Sequence, residues 1–455
     1  MSVLDTRPSD AFANDRRHVF HSWSAQATLN PTVIARAQGS YIWTEDGTRY
    51  LDFSSQLVNV NIGHQHPKLV AAIQEYAGKL CTIAPFHAND ARSEAARLIV
   101  EAARNGNPDS KLDMVFFTNG GAEATENAVR MARLHTNRFK VLNHYRSYHG
   151  GTNGAITLTG DPRRWPSEPG MPGVVKFWGP YPYRSAFHAT TEAEESQRAL
   201  QHLDDVLMVE GSHTVAAIIV ETVVGTNGIL VPPPGYLAGL RERCDRHGIV
   251  LIFDEVMAGF ARCGEWFAWH KWGVEPDLIC FAKGVNSGYL PIGGVVISST
   301  VADSFRERAF PGGLTYSGHP LACASAVASI NIFKEEGIVE HARALGTDVI
   351  GPGLEKLMAN HPSVGEVRGL GAFWAIELVT DRATRAPLVP YNAAGPDAAP
   401  MMELVAACKA RGLWPFNHFN RIHVCPPCTA STAEVEEGLA ILDEVLTLAD
   451  ARYTG

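Results

Sequence analysis

The chain has 455 residues, 45% of them apolar, which is enough for a sizeable buried core and excludes a disordered or fibrous protein. A formal net charge of −9 with no basic run makes nucleic acid and anionic membrane surfaces poor partners. No segment has the apolar length of a bilayer span, and the start at Met1 lacks the basic-then-apolar order of an export signal, so a cytoplasmic protein is expected.

Residues 1–60 open with a helix-like stretch. They continue as two short alternating strands between Gly39 and Phe53, joined by Asp46-Gly47, a hairpin signal. From 61 to 329, apolar strands alternate with helical stretches, the pattern of a mostly parallel sheet wrapped by helices. The strand from Met114 to Asn119 runs into Gly120, Gly121 and Ala122 and then a helix over Ala124–Leu134. Free N–H groups at a helix start bind phosphate, and glycine lets the anion come close. A Gly-Gly before a helix is also an ordinary turn, and Glu123 and Glu126 equally suit the helix dipole.

Further along, the apolar strand Val215–Val220 ends at Glu221, and Ile249–Phe253 ends at Asp254, Glu255 and Val256. Buried parallel strands point such ends toward the ligand crevice. The apolar run from Asp277 closes on Lys283. A lysine of this kind often just snorkels to solvent, but a desolvated one loses its proton and becomes a nucleophilic amine. After 330, a helix over Ile330–Leu345, a stretch from Val364 to Leu378 and a last strand Arg421–Cys425 read as a smaller mixed domain. The eight cysteines are scattered, mostly in apolar stretches, and fit reduced thiols in a cytosol. Cys425 and Cys428 have metal-ligand spacing, but no second pair accompanies them and two prolines lie between, so no metal site is expected.

A phosphate cradle, a strand-end carboxylate and a strand-end lysine together match what pyridoxal 5′-phosphate needs. The phosphate is anchored, the ring nitrogen is kept protonated, and an amine meets the aldehyde. In addition, the stretches Thr118–Ala124, Tyr148–Thr152, Asp254–Val256, Ala282–Gly284 and Thr315–Pro320 resemble, in order and over nearly the whole chain, the class III aminotransferases.

That resemblance implies an α/β protein of transferase fold type I, the aspartate aminotransferase-like fold. Its large domain (61–329) would carry a mostly parallel seven-stranded sheet, and a small α+β domain (330–455) would be joined by the segment 1–60. It also implies roles. Lys283 is the lysine that holds the cofactor and moves protons, and Asp254 is the partner of the pyridine nitrogen. Tyr148 and Val256 lie on the two ring faces, with His149 beside them. Gly120, Gly121 and Ala122 form the phosphate cradle, Glu221 orders the polar network, and Thr315 reaches in from the neighbouring subunit of a homodimer or a tetramer. Ala122 stands where the family usually has serine, which implies a cofactor grip weaker by about 1 kcal/mol, the worth of one hydrogen bond.

Members acting on dicarboxylates carry a glutamate and an arginine that pair and separate as substrates alternate. Here Thr226 and His423 stand at those places, and Met257 follows Asp254-Glu-Val in place of glutamine. These departures resemble the omega branch, which moves amino groups from amines or omega-amino acids, taurine-like ones included, typically to pyruvate. The resemblance places Trp23, Leu57, Val58, Phe86 and Trp165 around an apolar substrate pocket, with Arg421, or less favourably His418, meeting a carboxylate or sulfonate. A 2-oxoglutarate-using aminotransferase, or a decarboxylase or aminomutase on the same fold, would use the same motifs.

Overall fold

The central strands of the seven-stranded sheet are short runs of β-branched and other apolar residues buried on both faces. The computed structural model describes residues 8–455; the Met1 end, read above for an export signal, lies outside them. The strands are ordered Leu112–Thr118, Gly293–Ser298, Leu278–Phe281, Val250–Asp254, Val215–Glu221, Lys140–His144 and Val174–Phe177. Gly293–Ser298 runs antiparallel to both neighbours, and the pairings among Leu278–Phe281, Val250–Asp254, Val215–Glu221, Lys140–His144 and Val174–Phe177 are parallel. Every residue of Val215–Glu221 is buried, as expected of a central parallel strand with helices on both sides.

The hairpin expected at Asp46-Gly47 pairs Tyr41–Thr44 with Arg49–Asp52, and Gly47 adopts φ +86°, where a side chain would be strained. The short strand Leu413–Trp414 joins this sheet parallel to Arg49–Asp52, so the two ends of the chain share one sheet. Leu51 and Phe53 accordingly pack in one apolar cluster with Leu404, Leu442 and Leu446. A third sheet pairs Val364–Leu370, Phe373–Asp381, Arg421–Val424 and Phe416–His418.

One helix differs from the sequence reading. The single helix expected over Ile330–Leu345 is two, Pro320–Glu335 and Ile338–Ala344. Pro320 starts the first, since its missing N–H costs nothing there. Gly337 at φ +62° ends it, because a left-handed residue cannot continue the helix. All eight cysteines are free thiols, and seven are buried, Cys81 being exposed.

Candidate active site

The parallel register sets Glu221 beside Asp254 at the C-terminal ends of neighbouring strands. Asp254 is 4% exposed. One of its oxygens accepts the Val256 N–H at 3.0 Å, and the other accepts from His149 Nδ1 at 2.7 Å. His149 is itself buried, and its Nε2 has no partner among the described residues. The imidazole therefore fixes the carboxylate's direction from behind. Glu221 accepts the N–H groups of Tyr148 at 2.8 Å and Gly225 at 2.7 Å, tying two loops to one carboxylate. Burial pushes its pKa up to about 7, opposed by His149 and reinforced by the charge of Asp254.

Lys283 lies two residues past Leu278–Phe281, in a left-handed conformation at φ +44°. That geometry is uncommon outside glycine and marks a functional position when the surroundings hold it. The amide of Asn61 lies where a Cβ on Gly284 would go, so the next residue must be glycine for the lysine to sit here. Desolvation lowers the Lys283 pKa to about 8; Asp254 and Glu221 oppose this, while the charges of Arg163 and Arg262 add to it. The result is an amine that is neutral at mildly alkaline pH and can act as a nucleophile or base.

The helix Gly121–Thr136 starts without a side-chain cap, since Gly120 holds the cap position. Glu123 turns back to Asn119 N–H at 2.8 Å and leaves the helix start open to an anion. A Cβ on Gly120 would meet nothing within 4 Å, whereas one on Gly121 would lie 2.9 Å from Val256. One on Gly150 would lie 2.5 Å from the Ala122 methyl. Close packing of these glycines thus brings Val256 and the Tyr148–Gly150 turn against the helix start. An open anion cradle, a flat aromatic ring, a fixed carboxylate and a lysine of lowered pKa are the donor set pyridoxal phosphate requires, and the residues present fit it.

The remaining candidates are placed unequally. Thr315 is exposed in a turn. Trp23, Leu57, Phe86 and Trp165 are exposed and share no apolar cluster, while Val58 is 1% exposed and packs with Val223, Met257 and Phe373. Val58 thus belongs to an apolar core cluster, whereas the other four present their side chains at the surface. Arg421 also differs from expectation. It is 2% exposed and its Nη1 donates to the carbonyl of Asn227, so it braces the loop holding Thr226. His423 is fully buried with both ring nitrogens unpartnered among the described residues, and burial lowers its pKa well below the ordinary value. The buried Nε2 of His418 likewise has no partner among the described residues, and burial lowers its pKa to about 3.

Sequence reasoning missed Arg163. Its guanidinium lies 3.7 Å from the centre of the Tyr148 ring. It is forked by the carboxylate of Asp161 and donates to Thr226 Oγ1 at 2.8 Å. The available signal was Asp161-Pro162, a side-chain cap followed by proline, which starts a short helical turn and aims Arg163 back over the strand ends.

The family profile described as Aminotransferase class-III matches residues 23–446. The solved structure of taurine:2-oxoglutarate aminotransferase from Bifidobacterium kashiwanohense, in complex with PLP and glutamate, superposes with a TM-score of 0.94 at 40% identity, covering 99% of this chain and 100% of that one. Taurine–pyruvate aminotransferase of Bilophila wadsworthia is 31% identical over 98% of both chains. 4-Aminobutyrate aminotransferase GabT of Escherichia coli is 32% identical over 91% of this chain and 93% of its own.

Proposed function

The chain belongs to the class III aminotransferases, which depend on pyridoxal phosphate, and we propose that it transfers the amino group of a primary amine or omega-amino acid, taurine-like in bearing an anion, to pyruvate. The observation that carries this reading is the Asp254–His149 pair set at the strand ends near a lysine whose pKa burial lowers to about 8. When bound, the cofactor supplies an aldehyde for the amino group and a ring that withdraws electrons from the carbon next to it.

The chain's own residues do the rest. The open start of Gly121–Thr136 binds the phosphate through backbone N–H groups, and Tyr148 and Val256 confine the ring. Asp254, oriented by His149, holds a proton on the ring nitrogen. Lys283 Nζ would hold the cofactor's aldehyde carbon and, as a free amine, would be the base that takes the proton from the amine-bearing carbon. Glu221 keeps the Tyr148 and Gly225 loops in register while this happens. The donor half-reaction releases ketone or aldehyde, and the acceptor half-reaction runs the same proton transfers in reverse.

The same reading makes the enzyme a cytoplasmic homodimer with Thr315 lent to the neighbouring site; no helix among the described residues is long and apolar enough to cross a membrane. Thr226 and His423 in place of the glutamate–arginine pair disfavour dicarboxylate partners and, with them, the ornithine- and 4-aminobutyrate-type branches of the family. Similarity to the B. kashiwanohense enzyme supports a second reading of the acceptor as 2-oxoglutarate. The test is the visible spectrum of the holoenzyme titrated with taurine, β-alanine, putrescine or a chiral arylamine, then with either keto acid. Bleaching by a donor and recovery with pyruvate is the expected result. Recovery with 2-oxoglutarate alone selects the second reading, and carbon dioxide release without any acceptor overturns transamination.

A further inference from the structure

If the substrate carries an anion, as the proposed function holds, the site needs a cation that is both reachable and fixed. Arg421 fails on the first count: it is 2% exposed and donates to Asn227 O, while Arg368 Nε donates to Gly228 O at 2.7 Å. Those two arginines hold the Thr226–Gly228 loop, and Gly228, at φ +133°, leaves the space their guanidinium groups occupy.

Arg163 meets both requirements. Its Nε donates to Asp161 at 2.9 Å, one Nη donates to Asp161 and to Thr226 Oγ1, and its side chain is 23% exposed. The other nitrogen, Nη1, makes no hydrogen bond among the described residues and is not one of their buried unpartnered atoms, so it keeps some exposure. Asp161, fully buried, is itself held by Asn227 Nδ2 at 3.1 Å and by the Arg163 N–H at 2.9 Å. The planar guanidinium is therefore locked on one edge and offers the opposite edge to a ligand, the geometry that suits a carboxylate or sulfonate.

Its place is also right. It stacks on Tyr148, and its charge is felt by both Lys283 and His418. Threonine at 226 matters here, because a glutamate there would take up the guanidinium that Thr226 only tethers. Nearby, the buried Nε2 of His418 and the Oδ1 of Asn227 have no partner among the described residues, so both can take a hydrogen bond from or to a bound molecule.

We infer that Arg163, locked by Asp161 and Thr226 over the Tyr148 ring, is the specificity-determining cation that binds the anionic end of the amine donor. Arg421 is a positioning residue that keeps Thr226 in place. Being fixed, the cation does not withdraw for neutral substrates, so it selects for amines bearing a sulfonate or carboxylate.

The inference rests on the proposed omega-type transamination, and two separate readouts keep their failures apart. The first is the rate of cofactor bleaching by taurine, β-alanine and a neutral arylamine in wild type, Arg163→Gln and Arg163→Lys, with no keto acid present. Arg163→Gln should lower the apparent second-order rate with the two anionic amines about 100-fold, through KM, and leave the neutral amine within about threefold. Arg163→Lys should recover part of the loss. An equal fall for all three amines would make Arg163 a support of Tyr148 only and overturns the assignment, as does an unchanged rate with taurine. The second readout is equilibrium binding of 1-propanesulfonate, which has no amine to react, followed by tryptophan fluorescence of the holoenzyme. Binding by wild type and loss in Arg163→Gln supports the cation even if no tested amine turns over, a result that would count against the proposed reaction alone. No binding by wild type overturns the inference.

Discussion

Replacing Glu221 with glutamine converts the burial of that carboxyl into a measurable pH dependence. The side chain is 6% exposed and accepts two backbone N–H groups, from Tyr148 and Gly225. Glutamine keeps one carbonyl oxygen but turns an NH₂ toward the second donor; a buried N–H left unpaired costs about 1–3 kcal/mol at any pH. A titrating difference runs against this constant loss. Folding raises the Glu221 pKa from 4.5 to about 7, so between those values the folded state binds more protons than the unfolded. The stability due to the carboxyl is thus fully present below pH 4.5 and is lost as pH rises through about 7. At about 1.4 kcal/mol per pH unit, wild type gives up about 3 kcal/mol across that window, and the glutamine variant gives up nothing. E221Q should therefore destabilise the apoprotein most near pH 5, with the penalty shrinking or vanishing near pH 9. Paired denaturation midpoints of the two proteins across this range, with cofactor removed so that binding does not mask the difference, measure it. A penalty that stays flat, or grows with pH, refutes the reasoning.

Ala122→Ser should restore one phosphate contact and tighten cofactor binding by about 1 kcal/mol, roughly fivefold in Kd, read by titrating apoprotein with pyridoxal phosphate. An unchanged Kd would mean that packing on Gly150 turns the hydroxyl away. Gly228→Ala should lower the melting temperature, since a side chain at φ +133° meets Arg421 and lies 2.9 Å from Arg368 Nη2; backbone strain alone costs about 1–3 kcal/mol, so an unshifted Tm would count against it. Lys283→Ala should still bind the cofactor non-covalently but show no turnover, and rates near wild type would remove Lys283 from the mechanism. Because burial lowers the Lys283 pKa to about 8, covalent capture of the cofactor by apoprotein should speed up as pH rises through about 8, where the neutral amine appears; a midpoint near 10.5 would show an amine that is not desolvated.

The strand ends and the glycine turn were legible in the sequence because their signals are local. Runs such as Val215–Val220 are short and rich in β-branched residues, which favours buried strands, Glu221, Asp254 and Lys283 stand just beyond three of them, and the Asp46-Gly47 turn is set by backbone sterics. The motif order then pointed to the cofactor, since a phosphate, a ring nitrogen and an aldehyde each ask for a different residue type. Helix limits were less legible: Pro320 and Gly337 were available as stop signals, but apolar spacing alone ran through the break at Gly337.

Only the tertiary structure decided which cation is free and which is spent. Arg421 and Arg163 are equally basic as letters. Burial against Asn227 occupies the first, while Asp161, Tyr148 and Thr226 leave one edge of the second open. Arg163 and Thr226 are 63 residues apart in the chain and meet because parallel strands bring their following loops to the same edge of the sheet. Val58 is core for the same reason, its neighbours arriving from distant segments. Sequence by itself determines hydrophobic period, turn chemistry and the residue types available for catalysis. Which of those groups face the ligand, and with what charge left over, depends on desolvation and hydrogen bonding between loops that touch only after the sheet has formed.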